Sequence, residues 1–221
     1  MKVRTATVLQ RKVDADLGWR KKELTASRFI VESAGASDAR VLCRAGVVLM
    51  YSHWEGFIKE AARVYAELVS STPRRLSGLA SPFRAMALRS EILQLGSART
   101  VSAHHELIER IRNSFTDNSS VRVKAGDGIA ARSNLDAARL RVIIGTLGLD
   151  YSPFELKEKQ VITRLVKLRH KIAHGAGAPV DLASFKELHS ETVTLLGCFR
   201  DQVVDAAIAE AWNSPDPGYA I

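Results

Sequence analysis

Residues 161–175 read VITRLVKLRHKIAHG, and their apolar positions recur at the three- and four-residue spacing of an α-helix. One face of this predicted helix therefore packs in the core, whereas its other faces carry basic residues. Gly175 and Gly177 follow, and they supply the left-handed or flexible backbone at which helices commonly end. The last turn and a half of the helix thus contains a permanently charged guanidinium, Arg169, and two imidazoles, His170 and His174. This concentration of groups favours chemistry on phosphates.

Two other interpretations of this cluster use only general helix and metal chemistry. Basic residues in a last turn complement the free carbonyls and the dipole of a helix, which is the alternative for Arg169 and Lys171. His170 and His174 lie about 40° apart around an α-helix, and such a pair also suits zinc. A zinc site needs a third and a fourth ligand, and no suitably patterned Cys, Asp or Glu stands out. We therefore expect no metal here.

The length and composition of the chain limit the kinds of protein that it can be. The chain has 221 residues, of which 46% are apolar, enough for a real core and too many for a disordered chain. We expect a single domain over 1–221, with a flexible lead-in at 1–13 and a flexible tail at 213–221. Cys43 and Cys198 lie in apolar helical patterns, as buried thiols in a reducing compartment do. Neither a signal-peptide core nor an apolar run of about 18 residues occurs, so we expect a cytoplasmic protein that does not enter a membrane.

The charge of the chain points to a class of partner. With 32 Lys and Arg against 24 Asp and Glu, the net charge is +8 at pH 7. An excess of Lys and Arg favours a polyanion, because basic side chains gain affinity by displacing counterions from phosphates. The charge alone does not identify that polyanion, since many basic proteins bind no nucleic acid.

Apolar periodicity and helix start and stop signals predict an all-α helical bundle. The N-caps that we expect are Ser37, Ser133 or Asn134, and Asp181. An irregular or hairpin-like insertion is expected near 114–133, and one short strand candidate within it does not make a sheet. The expected helices cover 14–33, 38–70, 82–95, 100–113, 135–147, 152–174 and 181–212, and the strand candidate covers 121–124.

The predicted helix at 38–70 is the most apolar segment, which indicates a central position. It contains a polar and aromatic interruption with three side chains of interest: Tyr51, His53 and Glu55. We expect these three residues to form a supporting wall of the site at the end of the motif helix. The structural alternative is an ion pair between Glu55 and Lys59, with His53 as a half-buried histidine whose polar atoms have partners.

The motif resembles the signature of the HEPN superfamily, an Arg followed by four to six residues and a His. Arg169 and His174 fit this signature with four residues between them. His170 occupies the position after the Arg, where the family often has Asn, Asp or His. Residues 51–57, YSHWEGF, and 152–154, SPF, are also similar to segments of MAE-type HEPN proteins, small bacterial members close to toxin and defence systems.

The resemblance implies a function and a site. Many HEPN proteins are metal-independent endoribonucleases, and they dimerise so that the Arg and His of both protomers line one composite cleft. Arg169 and His174 would then be catalytic, with His170 in support and without a cofactor. The resemblance further implies a toxin or defence effector that acts on RNA as a homodimer, and a neutralising antitoxin or other protein as a second partner.

The chemistry of RNA cleavage suits these residue types. Without a metal, a 2′-hydroxyl must lose a proton, the phosphate charge must be stabilised and the leaving 5′-oxygen must gain a proton. Histidine transfers protons near neutral pH, and arginine binds phosphate through a bidentate fork. An ideal helix separates Arg169 and His174 by about 140°, so pairing two motif helices about a two-fold axis is a sensible way to assemble the site. The basic neighbours are expected to bind the RNA backbone, and they are Arg164, Lys167 and Lys171.

Two other functions stay open at this stage. A non-catalytic member of the superfamily would keep the fold and serve as a nucleic-acid-binding or protein-interaction module. An unrelated helical protein would contain the spacing by accident, since so short a motif occurs by chance in many proteins. A ribonuclease assay of the purified protein, with and without EDTA, separates a nuclease from a binding module.

Overall fold

A computed structural model describes residues 2–116, 120–123 and 134–214 of the chain. These residues form a helical bundle, which confirms the predicted all-α class. Within these ranges, no helix has both the length and the apolar character that crossing a membrane requires. The α-helices are, in chain order, α1 (Ala6–Ser33), α2 (Ala36–Ser70), α3 (Ser81–Ala87), α4 (Arg89–Ser97), α5 (Val101–Thr116), α6 (Ala137–Thr146), α7 (Ser152–Glu155), α8 (Arg164–Ala173) and α9 (Leu182–Ile208).

Helices α1, α2 and α9 pack against one another at the centre of the bundle, and α8 packs against α2. Helix α2 is buried along most of its length, so its predicted central position is confirmed. Gly46 allows α9 to approach α2 closely, because a Cβ atom there would lie 2.6 Å from Cε2 of the buried Phe185. The close packing of these three helices fixes the platform on which α8 lies.

Three aromatic rings connect the short helix α7 to this core. The ring centroid of Phe154 lies 6.3 Å from that of Phe199 in α9, which lies 6.5 Å from that of Phe57 in α2. Both pairs meet edge to face, a favourable geometry for aromatic rings, and all three side chains are fully buried. Pro153 is tolerated in the first turn of α7 because no helical hydrogen bond needs its missing N–H. The chain that leads into α8 is therefore anchored.

The prediction of a flexible lead-in at 1–13 is wrong for residues 6–13, which are helical. Helix α1 begins at Ala6, and the side chain of Thr5 caps it by accepting a backbone hydrogen bond at 3.3 Å. Leu9 and Val13 are buried, because the apolar stripe of α1 continues to its N-terminal end. Charged residues scattered through this segment hid that stripe in the sequence.

Three helix starts test the predicted N-caps. Helix α2 begins two residues earlier than a Ser37 cap would require, and Gly35 is its N-cap without a side-chain hydrogen bond. Helix α6 is capped by Asp136, whose side chain accepts a hydrogen bond from a backbone N–H at 2.8 Å, rather than by Asn134. Asp181 caps α9 in the same way at 2.7 Å, so that prediction is confirmed.

Two helix ends also differ from the prediction. The helix predicted over 82–95 is divided into α3 and α4 at Leu88, and α9 ends at Ile208, earlier than expected. The predicted tail at 213–221 lies outside the described residues from position 215 onward. Just before that point, the N–H of Ser214 donates to the carbonyl of Gly78 at 2.9 Å, so this part of the chain is tied to the bundle.

The predicted insertion near 114–133 contains one described strand. Strand β1 (Arg74–Arg75) pairs antiparallel with strand β2 (Ser120–Val121) in a two-stranded sheet. Strand β2 is therefore shorter than the strand candidate at 121–124. It pairs with the segment that follows α2, so it does not form a local hairpin. The turn candidate at 126–128 lies outside the described residues.

The helix predicted over 152–174 is interrupted, which corrects the expectation of one continuous helix. A π-helical turn covers Glu158–Thr163, between α7 and α8. In it, the carbonyl of Lys157 accepts hydrogen bonds from the N–H groups of Val161 at 2.9 Å and Ile162 at 3.3 Å. The second bond spans five residues instead of four, so this turn holds one residue more than an α-helical turn. Apolar periodicity does not reveal an insertion of a single residue.

Candidate functional site

Helix α8 ends in a Schellman motif that presents its last side chains to solvent. The N–H of Gly175 donates to the carbonyl of Ile172 at 3.1 Å, and the N–H of Ala176 donates to the carbonyl of Lys171 at 2.9 Å. Gly175 has a φ of +75°, a left-handed conformation in which a side chain is costly. The predicted helix end is therefore confirmed, and His174 is the C-cap residue.

His170 and His174 lie side by side at this end of α8. Their ring centroids are 4.4 Å apart, with 53° between the ring planes, and both residues are exposed. Arg44 of α2 stabilises the chain just beyond them, because its Nη2 donates to the carbonyl of Ala176 at 3.2 Å. The structure thus brings the two predicted histidines to one accessible place, where they can receive and give protons.

Arg169 is half-buried between α2 and the chain before α6. Its guanidinium carbon lies 4.9 Å from the centroid of the Tyr51 ring, within the range of a cation–π contact. Its Nη1 donates a hydrogen bond to Oδ1 of Asn134 at 3.3 Å. In the described part of the chain, no carboxylate forms an ion pair with this guanidinium. The charge of Arg169 is therefore available to an anion from outside.

Tyr51 forms the buried floor beneath Arg169. Its hydroxyl oxygen accepts a hydrogen bond from the backbone N–H of Leu135 at 2.8 Å, so one side chain contacts both the arginine and the start of α6. Burial, and after it the charge of Glu55, raises the pKa of Tyr51 to about 12, so the phenol is neutral at pH 7. Glu55 also accepts a hydrogen bond from Nζ of Lys59 at 2.7 Å, which confirms the ion pair of the structural alternative.

His53 lies on another side of α2, about 200° around the helix from Tyr51. Its Nε2 is 3.0 Å from Oε2 of Glu23, a contact that is an ion pair only when the imidazole is protonated and that is not a well-aligned hydrogen bond. Its ring centroid is 5.2 Å from that of Trp19, which like Glu23 belongs to α1. Burial lowers the pKa of His53, and the Glu23 carboxylate opposes this effect. The structure does not bring His53 together with the motif at the end of α8.

The three predicted RNA-binding residues lie along one groove on the outer face of α8, and they are Arg164, Lys167 and Lys171. Lys159 of the π-helical turn lines the same groove. Arg164 donates to Oε2 of Glu187 in α9 at 3.0 Å. Lys171 of this groove is adjacent to His170 in the chain. We refer to this groove below as the basic groove.

Asn134 is a site residue that the sequence analysis missed. It was expected only as a helix cap, whereas its Oδ1 accepts from Arg169. Tyr51 holds the neighbouring Leu135 through the buried hydrogen bond described above. The first bond joins residues that are 35 positions apart in the chain, and the second joins residues that are 84 positions apart. No local pattern in the sequence could therefore have indicated them.

Other reactive groups in the described residues do not form a second centre beside the motif. Among these residues, no group of three or more His, Cys, Asp or Glu side chains is placed to hold a metal ion. The metal-independent character of the site stays a prediction. Cys43 and Cys198 are free cysteines, and burial raises the pKa of both thiols. Both cysteines are therefore protonated thiols at neutral pH.

The comparisons with known proteins identify a family for the chain. A family model described as RiboL-PSP-HEPN matches residues 15–205 of the chain, a span that runs from α1 into α9. No curated protein sequence and no solved structure matches the chain. The predicted resemblance to the HEPN superfamily is confirmed, whereas the narrower likeness to MAE-type proteins stays a prediction. The chain belongs to the RiboL-PSP-HEPN family of the HEPN superfamily.

Proposed function

We propose that the protein is a metal-independent endoribonuclease whose site is built around Arg169 and His174. One observation carries this proposal: an arginine without a carboxylate partner in the described residues lies on the same helix end that exposes two adjacent histidines. Such groups bind a phosphate and transfer protons. Membership of a HEPN family supports a function related to nucleic acids.

In the proposed reaction, a base removes the proton of an RNA 2′-hydroxyl, and the 2′-oxygen attacks the adjacent phosphorus. The bond from phosphorus to the 5′-oxygen breaks, and an acid protonates that oxygen. The products are a cyclic phosphate and a 5′-hydroxyl end. His174 transfers protons, His170 positions or assists, and Arg169 binds the scissile phosphate through its fork of N–H donors.

Tyr51 and Asn134 prepare Arg169 for this role. A free arginine side chain carries roughly 2 kcal/mol of rotamer entropy, part of which is lost when it binds a phosphate. The cation–π contact with Tyr51 and the hydrogen bond that Arg169 donates to Asn134 restrict the side chain before RNA arrives. Part of the ordering cost is therefore met during folding, which leaves more of the binding energy for the reacting phosphate.

Two copies of the chain complete one cleft in this proposal. An ideal helix separates Arg169 and His174 by about 140°, so one motif helix does not direct both side chains at the same atom. Helix α2, which packs against α8, also offers a suitable surface. Val41 is 66% exposed, Ala45 and Ser52 are exposed, and this strip of α2 carries no charge. An uncharged exposed strip on the helix that packs against α8 fits an isologous contact between two protomers.

The biological role that we propose is that of a toxin or defence effector in the cytoplasm, restrained by a neutralising protein. Uncontrolled cleavage of RNA would damage the cell that makes the enzyme, so such a partner is expected. The alternative is a non-catalytic module that binds nucleic acid. The basic groove favours this alternative, because its lysines would bind a phosphate backbone without any catalytic group.

Replacing His174 with alanine is expected to slow RNA cleavage by about 10²–10⁴-fold, the usual size of a general acid–base contribution. RNA binding should largely persist, whereas Arg169→Ala should weaken both binding and cleavage. The rates are measured on single-stranded RNA in the presence of EDTA. His105→Ala, which changes an exposed histidine of α5, is the matched control and should cleave like the wild type. A wild-type protein that cuts no RNA, or an equally active His174 variant, contradicts the mechanism.

Tyr51→Phe keeps the ring beneath Arg169 but leaves the buried N–H of Leu135 without its acceptor, which costs about 1–3 kcal/mol. We expect kcat/KM to fall about tenfold, because the neighbouring Asn134 shifts away from the arginine. Tyr65→Phe is the control, since the buried Tyr65 hydroxyl has no hydrogen-bond partner among the described residues. The idea fails if the two variants lose the same activity, or if Tyr51→Phe cleaves at the wild-type rate.

Ala45→Glu is expected to convert the dimer to a monomer, because a carboxylate would be buried against its own copy across a two-fold contact. Light scattering at micromolar concentration measures the mass, and the same sample is assayed for cleavage, which should be lost. Ile108→Glu places the same charge on an exposed apolar position of α5 and should leave the dimer intact. A wild-type protein that is monomeric at this concentration would count against the composite cleft.

A further inference from the structure

The basic groove extends beyond the residues that the motif requires. It runs along the outer face of the π-helical turn and α8, and four cationic side chains line it: Lys159, Arg164, Lys167 and Lys171. Glu187 of α9 is the acidic residue among the residues that line it. Lys171 at one end is adjacent to His170 in the chain, whereas Lys159 at the other end lies five residues before the start of α8.

The π-helical turn sets the shape of this groove. In an uninterrupted α-helix, Lys159 and Lys167 would lie about 80° apart around the axis. Because the turn absorbs one additional residue, the separation falls to about 20°. Lys159, near the start of the turn, is thereby aligned with the lysines of α8. The interruption that breaks the predicted helix is thus the feature that extends the cationic face.

The charges in the groove are poorly neutralised. Arg164 has an ion pair with Glu187 at 3.0 Å. In the described part of the chain, none of the three lysines of the groove forms an ion pair with a carboxylate. Two arginines elsewhere do have such partners, since Arg28 and Arg63 form ion pairs within α1 and α2. Lys159 has the charge of its chain neighbour Glu158 nearby, but the two form no ion pair in the described structure. Three neighbouring lysines that are not ion-paired repel one another, and an anion would relieve that repulsion.

We infer that the basic groove is a phosphate-binding subsite for the part of an RNA strand that lies away from the cut. The inference rests on the proposed function, and it adds Lys159 to the residues that contact substrate. The axial distance to His174 is about 10 Å from Lys167 and about 20 Å from Lys159. At 3.4 Å per stacked nucleotide, these distances correspond to about three and six nucleotides. The substrate is therefore an RNA that continues for several nucleotides on one side of the scissile bond.

If this subsite binds RNA, the effect of replacing Lys159 on kcat/KM should depend on the length of the RNA. A dinucleotide with one cleavable linkage reaches only the motif, whereas an RNA of about ten nucleotides also fills the groove. Lys159→Glu is therefore expected to lower kcat/KM on the longer RNA by about tenfold more than on the dinucleotide. Lys159→Arg should restore the wild-type behaviour, because it keeps the positive charge. Lys22→Glu, which makes the same charge change at an exposed position of α1, should show no dependence on length.

A binding measurement keeps the test independent of catalysis. The probe is the same ten-nucleotide RNA with a 2′-deoxy sugar at the cleavage position, and its fluorescence anisotropy is followed as salt is varied. Lys159→Glu should weaken binding and reduce the slope of log K against log salt by about one, relative to Lys22→Glu. That result supports the subsite even if the protein cleaves neither RNA. A lack of cleavage would contradict the proposed nuclease activity but not the subsite. Equal binding by the two variants, or equal losses on both substrate lengths, overturns the subsite.

Discussion

Helix α2 has to be buried on most sides, because apolar residues surround it and no charge interrupts it between Arg44 and Glu55. Helices α1, α8 and α9 supply the surfaces that cover it. The same burial places Tyr51 where its ring contacts Arg169 and its hydroxyl fixes the backbone before α6. One requirement, the removal of α2 from water, therefore positions both the core and the floor of the candidate site.

The site itself depends on how α8 begins and ends. The π-helical turn before α8 brings its own Lys159 onto the cationic face, and the left-handed Gly175 ends the helix directly after His174. A longer helix would continue past the histidines and cover them with another turn. The two interruptions together leave a short helix with an arginine on its inner side and imidazoles at its exposed end. The function that we propose follows from this arrangement of side chains rather than from the bundle as a whole.

Much of the fold and the motif could be predicted, because their signals are local. Apolar spacing located the helices, Asp181 and Gly175 marked helix ends, and the Arg169–His174 spacing indicated the family. The π-helical turn could not be predicted, since one inserted residue barely changes apolar periodicity over a few turns. Asn134 was missed for another reason: its contact with Arg169 joins two residues that are 35 positions apart in the chain.

His53 shows the opposite case, in which residues that are close in the sequence do not lie together in the structure. Its sequence neighbourhood includes Tyr51 and Glu55, so all three residues were expected on one wall. Two residues along a helix correspond to about 200° of rotation, and His53 therefore contacts Glu23 of α1 instead. Tyr51 and Glu55 are neighbours as expected, since the charge of Glu55 acts on the Tyr51 hydroxyl. Proximity in sequence within a buried helix thus predicted the neighbours correctly for these two residues and not for His53.

The central claim is that Arg169 of one protomer and His174 of another act in one cleft. Its most direct test is to co-express an Arg169→Ala chain and a His174→Ala chain with different tags and to purify the mixed dimer. Each variant alone lacks one of the two groups in every cleft, whereas the mixed dimer retains one of each. The account predicts RNA cleavage by the mixed dimer well above that of either parent. A pure mixed dimer that is as inactive as its parents would contradict it.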